Sequence, residues 1–153
     1  MLNRLIMSEM ETEHYFTLVL ADVDLETGRV ILSQAGHPHP ALQRADGTVE
    51  FIGAGGLPVG LIDGAEFEQF EVQMGPGDRL LIHSDGVIEC ARQSGALLQE
   101  EGLAAILRDL RQTRGMALLE SLIWKLSEFA GDAEFTDDIS GVLLEFKGSG
   151  FPG

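Results

Sequence analysis

A series of short apolar runs, each stopped by glycine, proline or an Asp-Gly pair, restricts this chain to a strand-rich fold closed late by helices. Residues 15–23 are almost continuously apolar (Phe16, Leu18, Val19, Leu20, Ala21, Val23), the expectation for a central strand buried on both faces. Asp24-Leu25-Glu26-Thr27-Gly28 is a turn, and residues 29–35 return as the second arm of a hairpin. A clearer hairpin follows, with Ala45-Asp46-Gly47 between residues 41–44 and 48–52. Residues 53–60 form a glycine-rich loop. Residues 66–74 and 79–84 read as further strands, separated by the Gly75-Pro76-Gly77-Asp78 turn.

Helical spacing appears elsewhere. Leu2, Leu5, Ile6 and Met10 predict a short amphipathic helix at the start. Leu103, Ile106, Leu107 and Leu110 form one later stripe, and Leu119, Leu122, Ile123, Leu126 and Phe129 form another, with Gly115 between the two helices. The run after Asp137-Asp138 returns as a last strand up to Phe146, and residues 148–153 read as a flexible tail. Strands linked by hairpins, then a helical pair, then one returning strand define an α+β chain rather than a βαβ repeat.

With 153 residues, 44% of them apolar, the chain is one domain long and able to bury a core. Its net charge of −15 opposes binding to nucleic acid or to anionic membranes. Cys90 is the only cysteine, so neither an internal disulfide nor a cysteine-based zinc site can form, and a cytoplasmic setting is expected. No apolar run is long enough to span a bilayer, and nothing resembles a signal peptide.

Two acidic motifs carry the candidate chemistry. Asp85-Gly86 follows the apolar run 79–84, and Asp137-Asp138 precedes the apolar run 139–144. Carboxylates at two strand ends, brought together, would offer hard oxygen ligands to Mg²⁺ or Mn²⁺. Neighbours in extended backbone point to opposite faces, so one of Asp137 and Asp138 would ligate while the other supports. The alternative for each motif is an ordinary turn or cap.

Other features point less clearly to chemistry. His37 and His39 flank Pro38, but with only His14 and His83 besides, no zinc motif is present. Gly36-His37-Pro38 reads as a structural turn or a substrate-positioning segment. The loop 53–60 lacks the Lys-Ser/Thr of a phosphate-binding loop. Ser84 has no nucleophile-elbow context, which leaves it a positioning or structural role.

The ordered blocks Ala35-Gly36-His37-Pro38, Gly56-Leu57-Pro58-Val59-Gly60, Pro76-Gly77-Asp78-Arg79, Ser84-Asp85-Gly86 and Thr136-Asp137-Asp138-Ile139-Ser140 resemble the bacterial PPM/PP2C-like serine phosphatases of the stage II sporulation protein E and sigma-factor-regulator class. The resemblance runs over residues 1–147. It implies a sandwich of two antiparallel sheets flanked by helices, and hydrolysis of phosphoserine or phosphothreonine with two Mn²⁺ or Mg²⁺ ions. It implies an anti-anti-sigma-like phosphoprotein as substrate, and receiver, PAS or GAF domains upstream. By this resemblance Asp85 and Asp137 are catalytic metal ligands, Gly86 and Asp138 belong to the same metal motifs, and Gly36 and His37 form a recurrent segment. The family's Asp-x-x-Gly-His-Gly pattern is absent here. The chain is therefore expected to be the C-terminal part of the domain, weak or inactive alone. The competing expectation is a non-catalytic relative whose uncovered edges self-associate or bind a signalling partner.

Overall fold

A computed structural model of the chain describes residues 2–9 and 15–149. Helix α1 (Leu2–Glu9) precedes six strands: β1 (Leu18–Val23), β2 (Arg29–Ala35), β3 (Ala41–Gln43), β4 (Val49–Phe51), β5 (Gln69–Gln73) and β6 (Arg79–His83). Then come the one-turn helix α2 (Asp85–Ile88), helices α3 (Gln99–Asp109) and α4 (Gly115–Ala130), and strand β7 (Gly141–Glu145). The strands form two antiparallel sheets, ordered β1-β2-β5 and β4-β3-β6-β7.

Both predicted hairpins are present, each for a local reason. In the first, the Asp24 carboxylate accepts the Glu26 and Thr27 amides, and Gly28 takes the positive φ that lets β2 return. In the second, the Asp46 carboxylate accepts the Thr48 amide, and Gly47 also has positive φ.

Side-chain alternation divides the interior into two layers. Val30, Leu32 and Val72 of one sheet meet Leu42 and Leu80 of the other, together with Met74. On the opposite face of the four-stranded sheet, Ala41 and Leu81 pack beneath Leu103, Leu107, Leu118, Leu122 and Leu126 of α3 and α4. Adjacent β6 residues thus serve different layers: Leu80 points between the sheets and Leu81 points toward the helices.

Three expectations need correction. The run 15–23 is not a doubly buried central strand: β1 is an edge strand, and Leu20 on it is exposed. Continuous apolar character cannot distinguish an edge whose far side lacks a neighbour. In α1, Asn3 is buried, donates to the Ile62 carbonyl and accepts the Gly60 amide, whereas Leu5 of the expected stripe is exposed. Met10 of that predicted stripe lies outside the described residues. The buried stripe of α4 is Leu118, Leu122, Leu126 and Ala130, so Ile123 turns outward. Of the tail, residues 150–153 lie outside the described residues, and Gly148 and Ser149 are in no helix or strand.

Arg79 fastens the helical layer to the sheet. It is 2% exposed and donates to Gln43 Oε1 (2.7 Å), the Leu110 carbonyl (2.9 Å) and the Thr113 carbonyl (2.5 Å). Those carbonyls end α3 and lead into α4, where helix-terminal acceptors need partners. Arg79→Ala is expected to destabilise the fold by about 3 kcal/mol, because buried acceptors lose a charged donor. Arg79→Lys should recover little, since an ammonium lacks the guanidinium fork. Urea unfolding of the three proteins measures the difference.

Candidate functional site

The end of β6 places the first acidic motif. Asp85 is the opening residue of α2, where a carboxylate favours the positive end of the helix, and its Oδ1 accepts the Gly86 amide at 3.1 Å. The sequence alone reads this segment as a strand end with a turn. Instead the chain bends straight into a helical turn, and Asp85 is exposed.

The second motif reaches the first through the β6–β7 pairing. The register sets Ile82 opposite Val142 and His83 opposite Gly141. One step further, the Ser84 amide donates to the Ser140 carbonyl at 2.9 Å. Ser84 Oγ donates to the Asp138 carbonyl at 3.0 Å, and the Ser140 amide donates to Ser84 Oγ at 3.0 Å. Gly86 completes the junction: a Cβ there would fall on the Asp138 carbonyl oxygen and within 3.1 Å of its carbon. The backbones of Asp85-Gly86 and Asp137-Asp138 therefore lie against each other.

The carboxylates open onto different recesses. Asp85 lines a cleft of about 330 Å³ with Gly36, His37, Pro38, His39, Ile88, Glu89 and Glu100. Asp137 and Asp138 together line a neighbouring depression with Ile123, Phe135, Thr136 and Ile139. The strand expected directly after Asp137-Asp138 begins only at Gly141, so strict alternation of the pair does not apply. Asp137 Oδ1 accepts the Asp138 amide at 2.7 Å, and both residues are exposed.

Gly36, His37, Pro38 and His39 form one wall of the Asp85 cleft. The Gly36 amide donates to the Gly55 carbonyl, and a Cβ at Gly36, whose φ is +67°, would strike Pro58. His37 Nδ1 lies 3.1 Å from the Pro38 carbonyl, while Gln34 Nε2 donates to the His37 carbonyl. His39 Nδ1 sits 2.7 Å from Glu100 Oε1. That pairing of β3's approach with α3, and the presence of Glu89, were missed by sequence reasoning. Glu100 in the first turn of α3 and Glu89 at the end of α2 carry no signal of a cleft in the sequence. Behind this wall His83 is fully buried, with Nδ1 3.0 Å from the Ser84 carbonyl and Nε2 unpartnered. Burial holds its imidazole below the usual histidine range, partly offset by the Ser84 carbonyl. His14 lies outside the described residues.

Donor type and donor number give different answers for Mg²⁺ or Mn²⁺. Asp85, Asp137 and Asp138 are hard oxygen donors, and among the described residues none has an ion-pair partner. Yet among those residues no three His, Cys, Asp or Glu side chains gather as an ion would require. The described set is thus suited in kind to a divalent ion but short of a complete coordination shell.

Comparison with known proteins defines the class. The architecture matches PP2C-type phosphatase domains. It superposes on the SiaA-PP2C domain of Pseudomonas aeruginosa with a TM-score of 0.82 at 21% identity, over 94% of this chain and 57% of that one. It superposes on the phosphatase domain of the cell fate determinant SpoIIE from Bacillus subtilis, in Mn-presoaked form, with a TM-score of 0.75 at 21% identity, over 95% and 62%. The family model of stage II sporulation protein E matches residues 1–147, and the chain belongs to that SpoIIE family. Among characterised relatives, phosphoserine phosphatase RsbU of Bacillus subtilis (strain 168) is 24% identical over 147 residues, which are 95% of this chain and 43% of RsbU. The chain therefore spans less than half the length of that relative.

Gly86→Ala tests the junction. Helix propensity alone would make alanine better by up to about 1 kcal/mol. Contact with the Asp138 carbonyl should reverse the sign and destabilise by about 1–3 kcal/mol. Thermal unfolding of Gly86→Ala beside wild type decides which effect wins.

Proposed function

We propose that this chain is the C-terminal part of a metal-dependent protein serine/threonine phosphatase domain that hydrolyses phosphoserine on a regulatory protein of the anti-anti-sigma kind. The observation that carries this reading is the junction of Asp85-Gly86 with Asp137-Asp138 in a SpoIIE-family chain. The name of the relative RsbU, a phosphoserine phosphatase, supports the reaction class, and the manganese-soaked SpoIIE domain supports the choice of metal.

In this reading Asp85 and Asp137 contribute carboxylate oxygens to two Mn²⁺ or Mg²⁺ ions, with Asp138 and Gly86 shaping the same motifs. Bound ions of this type supply Lewis acidity and an activated water. The chain's own residues fix where two carboxylates stand and leave both open to solvent. The remaining donors come from outside the described residues. The Gly36–His39 wall faces Asp85 across the cleft and is placed to orient the substrate. Receiver, PAS or GAF domains upstream would supply regulation. Among the described residues no helix is long and apolar enough to cross a membrane, and the proposed setting is the cytoplasm.

A non-catalytic reading has one observation in its favour. Strand β7 is a sheet edge on which Val142 is 65% exposed, and Trp124 and Met116 of the adjoining α4 are exposed as well. An activity assay separates the two readings. The chain alone should release little phosphate from a phosphoseryl protein. The same chain joined to its upstream coding sequence should release phosphate in proportion to added Mn²⁺. Asp85→Asn and Asp137→Asn should each lower that turnover by about 100-fold or more, given that even supporting residues of metal sites cost about 10- to 100-fold. Full activity in either variant would contradict the phosphatase reading.

A further inference from the structure

Ser84 occupies the N-cap position of α2, where a serine hydroxyl ordinarily accepts an amide of its own helix. Here it makes no such bond. Its oxygen instead accepts the Ser140 amide, and its proton goes to the Asp138 carbonyl. The reason lies in the backbone. A regular ladder would give the Ser140 amide the Ser84 carbonyl as acceptor. That carbonyl is already engaged by the Val87 amide, which begins α2, and by His83 Nδ1. The hydroxyl therefore replaces the carbonyl in the last rung of the β6–β7 ladder. The chain can turn into a helix at Asp85 while its partner strand stays attached.

Resting on the phosphatase reading for the role of the carboxylates, we infer that Ser84 is a positioning residue whose hydroxyl holds the Asp137-Asp138 segment beside Asp85 and so preforms this chain's half of the metal site. Three consecutive residues divide the task. Ser84 ties the segments together, Asp85 presents a carboxylate, and Gly86 leaves room for the Asp138 carbonyl. With its proton given to the Asp138 backbone carbonyl, which is not a base, the hydroxyl is a tether and not an activated nucleophile.

Amide hydrogen exchange followed by NMR, on wild type, Ser84→Ala and Ser84→Thr, tests the tether. Ser84→Ala should speed exchange of the Ser140 amide by about tenfold. Ser84→Thr, which keeps the hydroxyl, should restore wild-type protection. Titration of the same samples with Mn²⁺ should broaden the Asp85, Gly86, Asp137 and Asp138 amides together in wild type and Ser84→Thr. In Ser84→Ala the same broadening should need roughly tenfold more Mn²⁺. Where Ser84→Ala does not fold, Ser84→Cys, which keeps the bulk and weakens both bonds, gives the same reading of exchange. A folded Ser84→Ala with Ser140 still protected overturns the tether. Identical Mn²⁺ profiles in wild type and Ser84→Ala overturn the positioning role. Wild type that shows no broadening at any Mn²⁺ concentration counts against the phosphatase reading, while the exchange data still decide whether the tether exists.

Discussion

The meeting of the two acidic motifs depends on the antiparallel pairing of β6 with β7. The acidic motifs are more than 50 residues apart in sequence, and α3 and α4 lie between them. Only the register that sets His83 opposite Gly141 brings the backbone of Asp137-Asp138 against Asp85-Gly86. A slip by one residue would exchange the faces of β7 and remove Leu143 and Leu144 from their separate layers. The packing of the core and the placement of the carboxylates are thus one constraint. Arg79, at the other end of β6, locks the helical pair over the same strand, so the intervening helices cannot drift from the site they bridge.

Much of the fold was legible because turns have specific chemistry. Asp24 and Asp46 bond their own loops, and Gly28 and Gly47 take positive φ, so both hairpins could be read from residue type alone. The apolar run of β6 and the stripe of α3 were equally plain. What failed was information about neighbours. Apolar residues 15–23 said nothing about whether a strand flanks each side, and β1 is an edge. In α4 the sequence offers two overlapping apolar stripes, and packing on β6 and β7 selects the one through Leu118 and Leu122.

The site divides in the same way. Asp85, Gly86, Asp137 and Asp138 stood out as acidic motifs at the ends of apolar runs, and the structure brings their backbones together. Gly36 and His37 reach the Asp85 cleft as well. Glu100 paired with His39, and Glu89 beside Asp85, gave no sequence signal because each looks like a solvated helix charge. Ser84 is the instructive case. Its residue type and position left it a positioning or structural role with no partner in view, and its bonds become visible only when Asp138 and Ser140 arrive from the far end of the chain.

The chain belongs to the SpoIIE family, and the proposal that Asp85 and Asp137 bind metal rests on the junction of their backbones. The most direct test is anomalous diffraction at the manganese edge from crystals of the chain soaked in Mn²⁺. Manganese bound at the carboxylates of Asp85 and of Asp137 is the predicted result. A well-occupied peak elsewhere with neither carboxylate engaged, or ions bound by other residues alone, would contradict it.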